Sequence, residues 1–271
     1  MKKLLISLGL SMAACVLGSS AGAQVITSVQ FKGYYRQYNA PAEDTTVNGS
    51  SAGVLPETVW NNDPGAGSGT GLSNLQSSAG ATTIGETTVS SYASYYNTPP
   101  AYNTGFTSLS GDQKLASSGF LVNSTSTLGS SLTLNLSGLS PTDTYNLYLY
   151  TTSTQSYLNP LVEVQTGGQD GATPTYYYRQ IENETSYVQA TSTSSSTTST
   201  ADYVEFTGLT GSSILSLTIS TGAPSGQTVN VSGFQLDDLG AGGSSVPEPS
   251  TWALMLTGLG FLVWRFRTRR A

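Results

Sequence analysis

Apolar side chains alternate with hydroxyl and amide side chains at a period of two along much of this chain. In Ser131–Ser137, Leu132, Leu134 and Leu136 face one way while Thr133 and Asn135 face the other. A turn-rich connection, 138–143, leads into 144–151, where Tyr145, Leu147 and Leu149 oppose Asn146, Tyr148 and Tyr150. A second pair echoes the first: 202–206, a Gly-Leu-Thr-Gly connection at 208–211, then 213–220 with Leu215, Leu217 and Ile219 inward. Such alternation marks strands buried on one face. Residues 228–236 read as the last strand, with an apolar phase that shifts at Gly233 and so predicts a β-bulge. Further strands are expected at 25–32, 82–89, 119–123, 160–166 and 175–182. No stretch of the body sustains a 3.6-residue apolar period. About ten short strands with Gly, Ser, Thr and Asn between them predict an all-β fold, an antiparallel β-sandwich.

Composition supports an exported β-protein. Of 271 residues only 10% are charged, against roughly 25% in ordinary soluble domains. Ser, Thr, Asn, Gly and Tyr fill the deficit. Six of the ten basic residues lie at the two ends: Lys2, Lys3, Arg265, Arg267, Arg269 and Arg270. The body keeps Lys32, Arg36, Lys114 and Arg179 against fifteen acids (all sixteen less Glu248), so four minus fifteen gives a net charge of −11. A surface that acidic repels phosphate backbones and excludes nucleic acid as a partner. There is no histidine, and the single cysteine, Cys15, lies near the start. Ser-His-Asp and Cys-His catalysis are thereby excluded from the body, and so are the usual nitrogen and sulfur ligands of zinc. The reading is of a protein that is not an enzyme and carries no cofactor.

Three kinds of site remain to be weighed. Glycoside hydrolysis needs two carboxyl groups about 5–10 Å apart across a cleft. Glu163, Glu182, Glu184, Glu205 and Asp237 are candidates that the sequence cannot pair. Calcium needs several oxygen ligands, to which Asp237-Asp238 and the loop 167–171 could contribute. Neither matches an EF-hand or a full repeat of the calcium-binding nonapeptide type, and solvated turns are the better reading. All sixteen tyrosines lie in the body. Exposed rings at Tyr148, Tyr150, Tyr176 or Tyr178 could stack on a glycan, whereas inward ones would pack the core. Two stretches look looser: 49–78, and 191–200, which is entirely Ser and Thr. The second reads as an exposed loop, plain or O-glycosylated.

The two ends differ in kind from the body. Residues 1–23 have the form of a secretory signal peptide: Lys2 and Lys3, the apolar run Leu4 to Leu17, then Ala21-Gly22-Ala23 before Gln24. Export would then use the Sec translocon, with signal peptidase cutting between Ala23 and Gln24. An alternative has Cys15 as a lipidation site after Met12-Ala13-Ala14. The sandwich domain is expected over 24–239 and a Gly/Ser linker over 240–245. Residues 246–271 combine Pro247-Glu248-Pro249, an apolar run from Trp252 to Trp264 expected to form a single transmembrane helix, and a basic tail at 265–271. The arginines place that end in the cytoplasm.

The string VPEPSTWALMLTGLGFL followed by arginines resembles the PEP-CTERM sorting signal. That resemblance implies exosortase, a membrane-embedded transpeptidase-like enzyme, as a partner that cleaves near the motif. It also implies a Gram-negative host that makes exopolysaccharide. The product would reach the cell surface or medium after a transient stay in the inner membrane. The body strings LTLNLSGLSPTDTYNLYLYTT, YVEFTGL, SILSLTIS and VSGFQLDDL resemble the jelly-roll, galactose-binding-like domains of secreted bacterial proteins, which implies a fold and no catalytic residues. The expected function is a non-enzymatic surface or extracellular protein associated with the exopolysaccharide of a biofilm matrix. The alternatives are a lectin-like glycan-binding module, a carboxylate-dependent glycosidase, and a self-associating structural component.

Overall fold

A computed structural model describes residues 24–31, 46–47, 49–63, 71–90, 93–97, 110–123, 131–151, 160–167, 173–181, 186–221 and 228–241. Residues 1–23, expected to be a signal peptide, and the residues from 242 lie outside them, so the transmembrane expectation for Trp252 to Trp264 does too. Among the described residues no helix is long and apolar enough to cross a membrane.

Sheet I has the order β13-β9-β16-β1-β3-β4, and β2 also pairs with β1. Its strands are β1 (Val25–Phe31), β2 (Asn61–Asp63), β3 (Gln76–Ser77), β4 (Gly80–Ala81), β9 (Asp143–Tyr150), β13 (Tyr203–Leu209) and β16 (Gly233–Ala241). Sheet II runs β12-β11-β10-β14-β8-β5. It is built from β5 (Gly85–Ser90), β8 (Ser131–Ser137), β10 (Leu161–Gly167), β11 (Tyr176–Gln180), β12 (Ser199–Ala201) and β14 (Ile214–Thr221). Three further strands, β6 (Ala93–Asn97), β7 (Ser118–Asn123) and β15 (Thr228–Val231), form a small third sheet. Among the described residues one short helix, α1 (Gly111–Ala116), precedes β7. Nearly all pairings are antiparallel; β1·β2 and β11·β12 are parallel.

The period-two leucines do what alternation demands. Leu132, Leu134 and Leu136 of β8 and Leu215, Leu217 and Ile219 of β14 are fully buried, facing Leu147 and Leu149 of β9 and Phe234 and Leu236 of β16. Phe31 joins the third sheet to this core, its ring stacked on Phe120 at 4.4 Å between centroids. The chain crosses from sheet II to sheet I between β8 and β9 and returns between β13 and β14. Since β8 pairs with β14 and β9 with β13, the four strands make one ribbon wrapped over both layers. The crossing at 138–142 is pinned from within: the buried Tyr145 accepts a hydrogen bond at its hydroxyl from the Ser140 N–H, 2.9 Å away.

The phase shift at Gly233 has a different cause from the bulge it predicted. Residues 228–236 are two strands in two sheets, broken at Ser232. Val231 pairs with Phe120 in the third sheet, whereas Gly233 pairs with both Gln30 and Tyr150 in sheet I. A strand that changes sheets turns a corner of the sandwich. Here the corner needs glycine, because a Cβ on residue 233 would lie 2.2 Å from the Val29 carbonyl oxygen. We expect Gly233→Val to destabilise the body by more than the loss of one core methylene, about 1 kcal/mol, read as a lower midpoint in urea unfolding of residues 24–241. An unchanged midpoint would refute the corner.

Candidate functional site

Alternation gives sheet I a second face. On it lie Ser28 and Gln30 of β1, Tyr148 and Tyr150 of β9, Tyr203 of β13 and Gln235 and Asp237 of β16. All seven are buried; the segment 46–60 and α1 pack on Tyr148, Tyr150 and Tyr203 and bond to Gln30 and Gln235. Val47, Ala52, Trp60 and Leu115 pack with Tyr148, Tyr150 and Tyr203 into a second apolar cluster, with Tyr187 against it. The helix is short but well capped: the Ser110 hydroxyl accepts from the Gln113 N–H, and the Gln113 side chain accepts from the Ser110 N–H. This capping box holds Leu115 down on the face.

The cover is stitched to the sheet by side chains. The Tyr150 hydroxyl donates to Gln235 Oε1 and accepts from the Val54 N–H at 2.8 Å. Gln235 Nε2 donates to the Leu55 carbonyl at 2.7 Å and to Ser28 Oγ at 3.1 Å. Gln30 accepts from the Val47 N–H at 3.0 Å and donates to the Lys114 carbonyl at 3.2 Å. Tyr187 donates to Asp112 Oδ1 at 2.6 Å, and the Gly53 N–H donates to the same carboxylate at 3.0 Å. Gly53 has a φ of +92°, and a Cβ there would run into the Gln235 amide, so the loop comes this close only with glycine. Burial pushes the Tyr150 phenol well above its ordinary range. Burial, followed by the Asp112 carboxylate, does the same to Tyr187. Both remain neutral donors at any physiological pH.

The four tyrosines expected to stack on a glycan are placed differently from one another. Tyr150 and Tyr178 have no exposed surface and Tyr148 keeps 7%. Tyr148 and Tyr150 lie under the cover; Tyr178 points into the main core, where its hydroxyl meets Thr151 Oγ1 at 2.9 Å. None of these three offers a ring face to a ligand. Tyr176 is half-buried, edge-on to Phe206 with centroids 5.2 Å apart. Alternation separates two faces of a strand, but it does not reveal that a segment 90 residues earlier in the chain will roof one of them.

Of the acids weighed as a pair, Glu163 lies on β10 of sheet II, Glu205 on β13 and Asp237 on β16 of sheet I. Glu163 and Glu205 are partly exposed, Glu205 accepting from Gln189 Nε2 at 2.9 Å, while Asp237 is buried. Glu182 and Glu184 lie outside the described residues, as does most of the loop 167–171. Asp238, within β16, accepts from the Gly240 N–H at 2.8 Å where the register with β9 shifts. Among the described residues no group of three or more carboxylate, histidine or cysteine side chains is placed to hold a metal ion.

A different carboxyl pair is present, one that no local pattern in the sequence marks. Asp63 ends β2 in parallel register beside Phe31; Glu86 lies on β5, opposite Leu136. They are 2% and 1% exposed, and their carboxyl groups are hydrogen-bonded to each other. Glu86 Oε1 also accepts from the Leu72 N–H at 3.0 Å. Burial first, then the neighbouring Asp63 charge, pushes Glu86 up from 4.5 to about 8. Two carboxylates this close cannot both ionise cheaply, so one proton is shared. The pair thus clamps β2 of sheet I to β5 of sheet II. Folded Glu86 keeps its proton up to about pH 8, whereas the unfolded residue loses it near 4.5. Folding stability therefore falls as pH rises through that window and levels off above it. Chemical-denaturation midpoints from pH 4 to 9 check this; in Glu86→Gln, whose amide stays neutral, the decline should flatten.

By its fold the chain is an antiparallel all-β sandwich protein with one face roofed by its own loop. A more particular identification comes from the tail: the family model described as the PEP-CTERM protein-sorting motif matches residues 245–270. The match contains Pro247, Glu248 and Pro249 and lies wholly beyond the last strand. It implies an exosortase-targeted exported protein, with exosortase as the processing partner. No curated protein and no solved structure matches the chain. The likeness of the body to galactose-binding-like domains therefore rests on the sequence strings alone.

Proposed function

We propose that this protein is a non-enzymatic component of the cell surface or medium, released from its membrane tail by exosortase and associated with neutral extracellular polysaccharide. The sorting motif at 245–270 carries the reading, because such a tail addresses whatever body precedes it to that route. The body's chemistry is consistent with it. A net charge of −11 between the ends discourages binding to anionic polymers. Exposed Ser and Thr, as in the largely exposed tract 191–200, offer hydroxyl partners to a hydroxyl-rich polymer.

A glycosidase is the competing reading, and the Asp63–Glu86 pair bears on it. One carboxyl holding a proton beside one ionised carboxylate is the arrangement of an acid–base pair. Hydrolysis also requires a sugar ring to sit between or beside the two groups, and at 2% and 1% exposure there is no approach for one. Structural clamping accounts for the pair without substrate.

The mature body, residues 24–241, should be retained on immobilised exopolysaccharide from the host and elute when soluble polymer is added. Elution in the void with an unrelated acidic sandwich protein would overturn the matrix association.

A further inference from the structure

The strand that leads into the sorting tail is held on both sides. β16 pairs with β9 as far as Ala241, opposite Asp143, and with β1 from Gly233 to Asp238, opposite Val25. Its Phe234 and Leu236 side chains lie at the centre of the main core. From Gly233 to Asp238, then, the strand is paired on both sides, and the side chains as far as Asp237 are buried; beyond Asp238 the register with β9 shifts before the last pair, at Ala241. Enzymes that cut or transfer peptides take the substrate as an extended, unpaired segment whose backbone is free to bond. The stretch 233–238 does not meet that requirement while the sandwich is folded.

Five residues, 242–246, separate the sheet from Pro247. Fully extended, the six Cα–Cα steps from Ala241 to Pro247 span about 20 Å. The spacer is Gly-Gly-Ser-Ser-Val, with no bulky side chain before Val246. Asp143 and Asp238 stand at the same end of sheet I. Carboxylates there are repelled by anionic lipid, so charge does not draw this end of the body onto the bilayer.

We propose that exosortase processes the tail of the already folded body, and that the length of 242–246, rather than its sequence, sets whether the enzyme reaches the motif. The proposal rests on the exosortase reading above. In the step itself one peptide bond at or beside Pro247-Glu248-Pro249 breaks. Its acyl half passes to water or to an amine acceptor, and its amine half leaves on the tail. The folded sheet acts as a stop: the cut cannot move upstream into 233–238, and a spacer too short would lodge the sandwich against the enzyme.

The test follows tail removal over time in host cells, by immunoblot of the full-length chain carrying an epitope in the body. Three forms are compared: the unaltered chain, a deletion of 242–245, and a chain in which 242–245 are replaced by Ala-Ser-Ala-Ser. Neither change touches a residue of the sheet. Misplacing a reacting bond costs on the order of 100-fold in rate, so the deletion should be cut about 100-fold more slowly, while the replacement keeps the parental rate. A deletion cut as fast as the parent would overturn the inference and leave the exosortase reading standing. Slow cutting of both variants would also overturn it, since the enzyme would then be reading the spacer's sequence. A parent whose tail is never removed would sink the exosortase reading itself.

Discussion

The pairing of β1 with β16, the first strand with the last, is the interaction on which the rest of this fold depends. Their register, Val25 opposite Asp238 through Gln30 opposite Gly233, sets the middle of sheet I. On one side β16 carries the wrapped ribbon through β9. On the other, β1 carries the whole β2–β4 edge, and with it one member of the carboxyl clamp. The pairing also aligns Ser28 with Gln235 and Gln30 with Gly233, which places the two glutamine amides where the covering loop is stitched down. Because the partners are separated by nearly the full chain, sheet I closes only after residue 241 has arrived. Contacts of such long separation form late.

Two buried faces follow from this one sheet. The inner face is ordinary apolar packing of Leu, Val and Phe against sheet II. The outer face is aromatic and amide-rich, and it is dry only because 46–60 and α1 lie over it. Gln30, Tyr150 and Gln235 each meet backbone of the cover, which is what makes a polar interface of this kind tolerable. Four of the sixteen tyrosines, Tyr148, Tyr150, Tyr187 and Tyr203, pack between the sheet and its own roof.

The sequence made the long strands legible because they alternate: β8 falls on the residues expected, and β1, β9, β10 and β14 within one or two. Strands of two or three residues have no period to display. β2 and β3 exist because Asn61 reaches both neighbours, donating to the Ser28 and Gln76 carbonyls and accepting from the Gln76 N–H. That is tertiary information carried by one asparagine. Gly233 was visible as an irregularity, but whether the chain bulges or changes sheets depends on the partners of Val231 and Gly233, which are distant in sequence. The Asp63–Glu86 pair was invisible for the same reason. The tail lies at the opposite extreme: its motif is contiguous, so a linear reading suffices.

The body and the tail thus answer to different physics, the one to long-range pairing and the other to a short string read by an enzyme. Their junction lies at Ala241, where the last ladder pair ends and the spacer begins. The most direct test of the account is the intact mass of the protein recovered from host cells and from the medium. A mature chain that begins at Gln24 and ends between Gly242 and Pro249 is the predicted species. A chain that keeps Trp252 to Ala271, or one that ends inside β16, would contradict it.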